Sequence, residues 1–237
     1  RGLARRHPDR IIASQVAWLR DPEIAATEIR RNAARGFKAV AFTENPSALG
    51  LPSVYQEHWD PFFAACEETG TVVCLHVGSS STAPTTSSDA PADTIGVLFF
   101  GWAMFAAVDW LYSRIPVRFP ALRICLSEGG IGWVAGLLDR LDHVERYQHM
   151  YGTWDGIDLS PAEVLRRNFW FCALDDDSNM ALRHRIGLEH VLVESDYPHA
   201  DSSWPNTQAM LVRQLRGQNI PDDEAERITW RNAADLF

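Results

Sequence analysis

The sequence predicts an α/β fold of the (β/α)8 barrel type, with six of the eight βα units inside its 237 residues. Three observations predict it. Short apolar, β-branched runs alternate with longer stretches of helical patterning, the rhythm of a parallel sheet with helices on its faces. Three of those runs end in residues able to bind metal or move protons: His76, Glu128 and Asp196. Polar or glycine-containing loops follow these ends, which is where a barrel keeps its active-site loops. Six strands do not close an eight-stranded barrel. The pattern therefore admits either an open doubly wound sheet or two further βα units upstream of Arg1, and the strand-end residues favour the second.

The elements follow in order. Residues 10–18 (RIIASQVAW) read as a strand, and Asp21-Pro22 then opens a helix to about Arg35, with Gly36 as its stop. Residues 37–43 (FKAVAFT) form the second strand, and a helix from about Gln56 ends at Gly70. Residues 71–76 (TVVCLH) are the third strand. Residues 77–93, rich in Ser, Thr, Pro and Ala, have few groups able to pack and read as a long surface loop. One apolar helix is expected over 95–114. Residues 122–127 (LRICLS) make the fourth strand, and a long helix is expected over 131–150. Ser160-Pro161-Ala162-Glu163 has the form of a capping box with proline at the first helical position. Residues 168–174 (NFWFCAL) are the fifth strand, with a helix over 178–186 ending at Gly187. Residues 190–195 (HVLVES) are the sixth, and two helices near 206–217 and 221–237 finish the chain.

Composition narrows the function. Hydrophobic residues are 46% and charged residues 22%, ordinary for a globular protein. A net charge of −9 argues against a nucleic-acid groove and against an anionic membrane surface. The apolar stretch 95–111 carries Asp109, Gly96 and Gly101, so it makes a poor membrane span and reads as a buried or subunit-interface helix, suggesting a homodimer. The four cysteines form no C-x-x-C pair and read as buried reduced thiols, consistent with a cytoplasmic protein. The start at Arg1, with no leader pattern, fits a fragment or a processed chain.

The strand ends carry the chemistry. They read His76-Val77-Gly78, Glu128-Gly129-Gly130 and Glu194-Ser195-Asp196-Tyr197-Pro198-His199. In a parallel barrel such ends meet in one mouth. Each has a plainer explanation: a hydrogen-bonded core histidine, a carboxylate capping the next helix, a turn. At three separate strand ends they point together to a site. His199 and Asp201 are placed as pocket residues, and Trp133 and Trp204 as apolar walls for a small-molecule substrate. His143, His149 and His184 fall on expected helices and read as surface residues. His7, His58 and His190 have no recognisable spacing.

The segments LHVG, SEGGIGW with the following LLDRLD, ESDYPHADSSWP and the closing ITWRNAADLF resemble the amidohydrolase-related family that includes aminocarboxymuconate-semialdehyde decarboxylase and the resorcylate decarboxylases. The resemblance implies one divalent ion, zinc first and manganese as the alternative, with His76 and Asp196 as ligands. It also implies a pair of ligands from an H-x-H or E-x-H motif, absent from these 237 residues and expected upstream. Glu128 stands where much of that family has a histidine, and Asp196 and Glu128 are the candidate catalytic groups. Three functions follow as expectations. The first is hydrolysis of a small ester, lactone or amide by metal-activated water. The second is a non-oxidative decarboxylase on the same scaffold. The third is an inactive, truncated protein acting by association.

Overall fold

The computed structural model describes residues 2–8, 10–148, 151–200 and 202–237, so His149 and Asp201 lie outside the described residues. Among them, six parallel strands form one sheet: β1 (Ala13–Val16), β2 (Phe37–Thr43), β3 (Val72–His76), β4 (Ile124–Ser127), β5 (Phe169–Ala173) and β6 (Val191–Val193). Each strand pairs with the next in sequence, and every pair is parallel. A doubly wound sheet reverses its order at a switch point. This order never reverses, so the fold is the singly wound, barrel type that the strand ends indicated.

The two faces of the sheet pack separately, because successive side chains in a strand point to opposite sides. Val40 and Phe42, Val73 and Leu75, Ile124 and Leu126, and Phe169 and Phe171 face the helices and join the main core. Ala39, Val72, Cys125, Cys172 and Leu192 face the other way, with Leu236 of the last helix against them. Arg123 ties that helix down, donating to the carbonyls of Leu236 and Gly70. The four cysteines are free thiols, and three are buried.

Local signals place most helix ends. Asp21 caps the helix Pro22–Ala33, accepting from the amides of Glu23 (3.0 Å) and Ile24 (3.1 Å). Ser160 and Glu163 form the reciprocal capping box at the start of Pro161–Asn168. Gly70 ends Asp60–Thr69 in the left-handed conformation that its missing side chain permits.

The expected single helix over 95–114 is instead two, Ala92–Leu98 and Gly101–Tyr112, bent by 50°. Gly96 and Gly101 weaken the helix on either side of the break, and the Phe99 ring is turned onto Gly78, where a Cβ would sit 2.3 Å from it. Among the described residues no single helix is long and apolar enough to cross a membrane. Two other expected helices are also broken. Residues 178–186 form a 3-10 turn, Asn179–Leu182, followed by Arg183–Ile186. Residues 221–237 contain a wide π turn, Arg227–Arg231.

His190 closes β5 against β6 and has a pH consequence. It is buried, its Nδ1 donates to the Phe169 carbonyl at 3.0 Å, and its ring packs on Trp170. Burial lowers its pKa below the ordinary 6.5, with Glu189 opposing. The fold therefore prefers the neutral ring. That stability is complete above the ordinary imidazole value and is lost as pH falls through the depressed one. Thermal melts of wild type and His190→Gln between about pH 5 and 8 should show a shallower acid-side loss in the variant. Equal slopes would rule His190 out as the source.

Candidate metal and proton-transfer site

Register brings the site residues together. Thr43, His76 and Ser127 stand side by side across β2, β3 and β4. Glu128 follows β4 directly, and Glu194 and Asp196 follow β6. Glu128 and Asp196 both have positive φ, 55° and 54°, so each strand end turns sharply as its carboxylate enters the mouth. Glu194 accepts from the Glu128 backbone N–H, locking one turn to the other. Gly129 is needed for closeness: a Cβ there would lie 2.6 Å from the Ala103 Cβ.

Glu128 stands between the two expected metal ligands. One of its oxygens is 3.0 Å from His76 Nε2, and its carboxyl hydrogen-bonds Asp196. His76 Nδ1 lies 2.7 Å from the Val77 carbonyl, so that nitrogen carries the proton. Nε2 then presents its lone pair to the site, the tautomer a metal ligand needs. On the far side His199 Nδ1 lies 2.7 Å from Asp196 Oδ2, and its backbone N–H donates to the Asp196 carbonyl at 2.8 Å. The site is thus a row: His76, Glu128, Asp196, His199.

Burial pushes the Glu128 carboxyl up to about 8, aided by its hydrogen bond with Asp196 and the charges of Asp196 and Glu194. Glu194 is also raised, chiefly by burial. Three carboxyl groups crowded together favour a cation among them. Donor atoms of Glu128, Asp196 and His199 lie within 4.8 Å of one another, a carboxylate and imidazole set that suits zinc or manganese. These residues fit a divalent ion. His76 stands at the edge of this set, joined to it through Glu128.

A cavity of about 690 Å³ opens over the row, with Glu128, Asp196 and His199 on its polar side. Phe99, Phe100, Trp133 and Met210 supply its apolar walls. Trp133 is held by its indole N–H, which donates to the Gly129 carbonyl at 2.9 Å. Trp204 is not part of the lining: its side chain is 63% exposed and packs edge-on against Tyr197. The wall expected from it comes from Phe99 and Phe100, at the break between the two apolar helices. Sequence reasoning also missed Asp175 and Asp176 in the lining, and gave no role to Glu194 although it directly follows β6. Alternation along β6 could have found Glu194, since it lies on the same face as Leu192.

Carboxylates and imidazoles gathered at the C-terminal ends of β3, β4 and β6 in a singly wound parallel sheet define a barrel-type α/β protein with a candidate metal centre. Comparison with known proteins gives the family. The chain belongs to the amidohydrolase family, whose model matches residues 2–237. It is similar to the solved amidohydrolase map2389c of Mycobacterium avium subsp. paratuberculosis K-10. Identity is 26%, TM-score 0.79, with 97% of this chain and 59% of that one covered. It is also similar to the 5-carboxyvanillate decarboxylase LigW of Sphingomonas paucimobilis. Identity is 25%, TM-score 0.78, with 100% of this chain and 69% of that one covered. A 5-carboxyvanillate decarboxylase of Novosphingobium aromaticivorans, solved with manganese, shares the fold at 20% identity and TM-score 0.76, over 99% of this chain and 67% of that one. No curated protein matches the chain. The chain spans about three fifths of the length of the Mycobacterium protein.

Proposed function

We propose that this chain carries the catalytic centre of a metal-dependent hydrolase acting on a small, uncharged ester, lactone or amide. One observation carries the proposal: two hydrogen-bonded carboxyl groups, Glu128 and Asp196, face a cavity that no Lys or Arg lines among the described residues. An anionic substrate would find four acidic residues there, Glu128, Asp175, Asp176 and Asp196, and no fixed cation. A neutral substrate meets apolar walls and a polar floor.

His76 and Asp196, with Glu128 and His199 alongside, would hold the ion, zinc first and manganese as the alternative. Held there, a divalent ion would supply water activation and carbonyl polarisation. Asp196 accepts the proton of the attacking water, steadied by the His199 imidazole at 2.7 Å. Glu128, between His76 Nε2 and Asp196, stands where a carboxyl group can relay a proton to the leaving group. Trp133 and Phe99 exclude water from the opposite side of the substrate.

The second reading is non-oxidative decarboxylation, which the similarity to LigW favours. The two differ in product. Purified chain is stripped with a chelator, reloaded with zinc or manganese in parallel, and assayed for released acid and for released carbon dioxide. The proposal expects acid release that falls to background on stripping and returns with about one ion per chain. Carbon dioxide without acid would replace it with the second reading, and full activity in stripped protein would end both.

A further inference from the structure

The mechanism leaves one buried acid unused. Glu44 directly follows β2 and is only 3% exposed. Burying a carboxylate costs several kcal/mol unless it is paired or hydrogen-bonded. Among the described residues no Lys, Arg or His pairs with Glu44. The Thr43 hydroxyl donates to it at 3.4 Å, and its closer partners come from the loop after β3. The Ser80 amide donates to both oxygens at 3.0 Å, and the Ser80 hydroxyl donates to Oε1 at 2.5 Å. The Ser79 hydroxyl donates to Oε2, and the Glu44 amide donates back to the Ser79 hydroxyl at 3.3 Å.

That loop begins at His76. Ser79 returns to it through its amide, which donates to the His76 carbonyl at 3.2 Å, and its single hydroxyl proton is shared between that carbonyl (2.7 Å) and Glu44 Oε2. Ser80 passes the contact on to Thr82, whose carbonyl receives the Trp102 indole N–H at 3.1 Å. Trp102 lies on the helix that follows Phe99, and Phe99 rests on Gly78. One carboxylate therefore holds both the turn that presents His76 and the segment that carries the cavity wall.

We infer that Glu44 is a positioning residue for the metal centre, acting through Ser79 and Ser80 on His76; this rests on the metal-site reading above. The charge on Glu44 is offset chiefly by the loop's donors, with one longer contact from the Thr43 hydroxyl at 3.4 Å, so loss of the loop would leave a buried anion nearly bare. Pinning the loop fixes the His76 ring before an ion arrives, which is how outer partners raise metal affinity.

Glu44→Gln tests it. The amide keeps the shape but turns an NH2 group towards the Ser79 and Ser80 donors. Dissociation constants for zinc and manganese are measured by competition with a chromophoric chelator. Hydrogen exchange follows the amides of residues 77–82, and kcat and KM are measured at saturating metal. Loss of outer partners typically weakens metal binding about 10- to 100-fold. The expectation is a loss in that range, faster exchange in the loop, and kcat largely restored by excess metal. Ser79→Ala, at an exposed position that leaves the Glu44 burial intact, should shift affinity in the same direction by less. The double variant should be no worse than Glu44→Gln alone, because both act through one contact. Wild-type affinity in Glu44→Gln overturns the tether and leaves the metal site standing. Affinity that falls only in step with global unfolding, with Ser79→Ala unchanged, also overturns it. A wild-type chain with no divalent affinity overturns the tether and the metal reading together, and this shows before any variant is made.

Discussion

Asp196→Asn is expected to lower turnover by about 10²- to 10⁴-fold, the usual contribution of a positioned proton-transfer group, while the fold stays intact. Asparagine is the informative replacement for two reasons. Asp196 has φ 54°, a left-handed conformation that asparagine accepts and most residues do not. The substitution also keeps the size of the side chain, so its hydrogen bonds with Glu128 and His199 can be reformed in part. What it removes is the negative charge and the ability to take a proton from water. Stability should move the other way. Burial shifts Glu128 and Glu194 upward in the metal-free chain, and the charge of Asp196 adds to both shifts. Removing one charge relieves that crowding, so the metal-free variant should melt no lower than wild type. Steady-state kinetics and thermal melts on the same preparation check both halves. Turnover within about threefold of wild type would remove Asp196 from the chemistry.

Phe42→Ala should give the largest loss of stability, about 3–5 kcal/mol. Its ring is 2% exposed and sits among four others. Trp59 and Phe62 are at 5.0 Å, Trp110 at 5.3 Å and Phe63 at 5.8 Å, mostly edge to face. Such rings cannot easily collapse into the space left behind. Trp59 is also held in place by its indole N–H to the Pro52 carbonyl at 3.0 Å. The cavity term therefore adds to the lost transfer energy. Against a total stability of roughly 5–15 kcal/mol, that loss leaves a marginal protein. Urea unfolding of the two chains measures it. A change under about 1.5 kcal/mol would mean that the cluster repacks around the gap.

Much of the fold was legible because its signals are local. The six apolar runs, the Asp21 cap, the Ser160 and Glu163 box and the stop at Gly70 each need only a short window of sequence. The apolar helix was misread as continuous because its break depends on Phe99 meeting Gly78, a contact between distant residues. Trp204 lies outside the cavity lining for a similar reason. A loop's composition says that an aromatic is present, and its packing against Tyr197 decides which way it points. Glu44 was overlooked because a glutamate before Asn-Pro reads as a solvated turn until its burial is known.

What the sequence determined by itself is the order of the strands and which residue types stand at their C-terminal ends. Periodicity and caps act over a few residues, so the chain encodes them without reference to the rest of the molecule. Only the tertiary structure decided which of those residues touch. Parallel register sets Thr43 beside His76 and His76 beside Ser127. That alignment carries Glu128 between His76 and Asp196, and lets Glu44 reach a loop 35 residues further on. Such distances are fixed by sheet pairing and by turns with positive φ, and both depend on the whole core being in place.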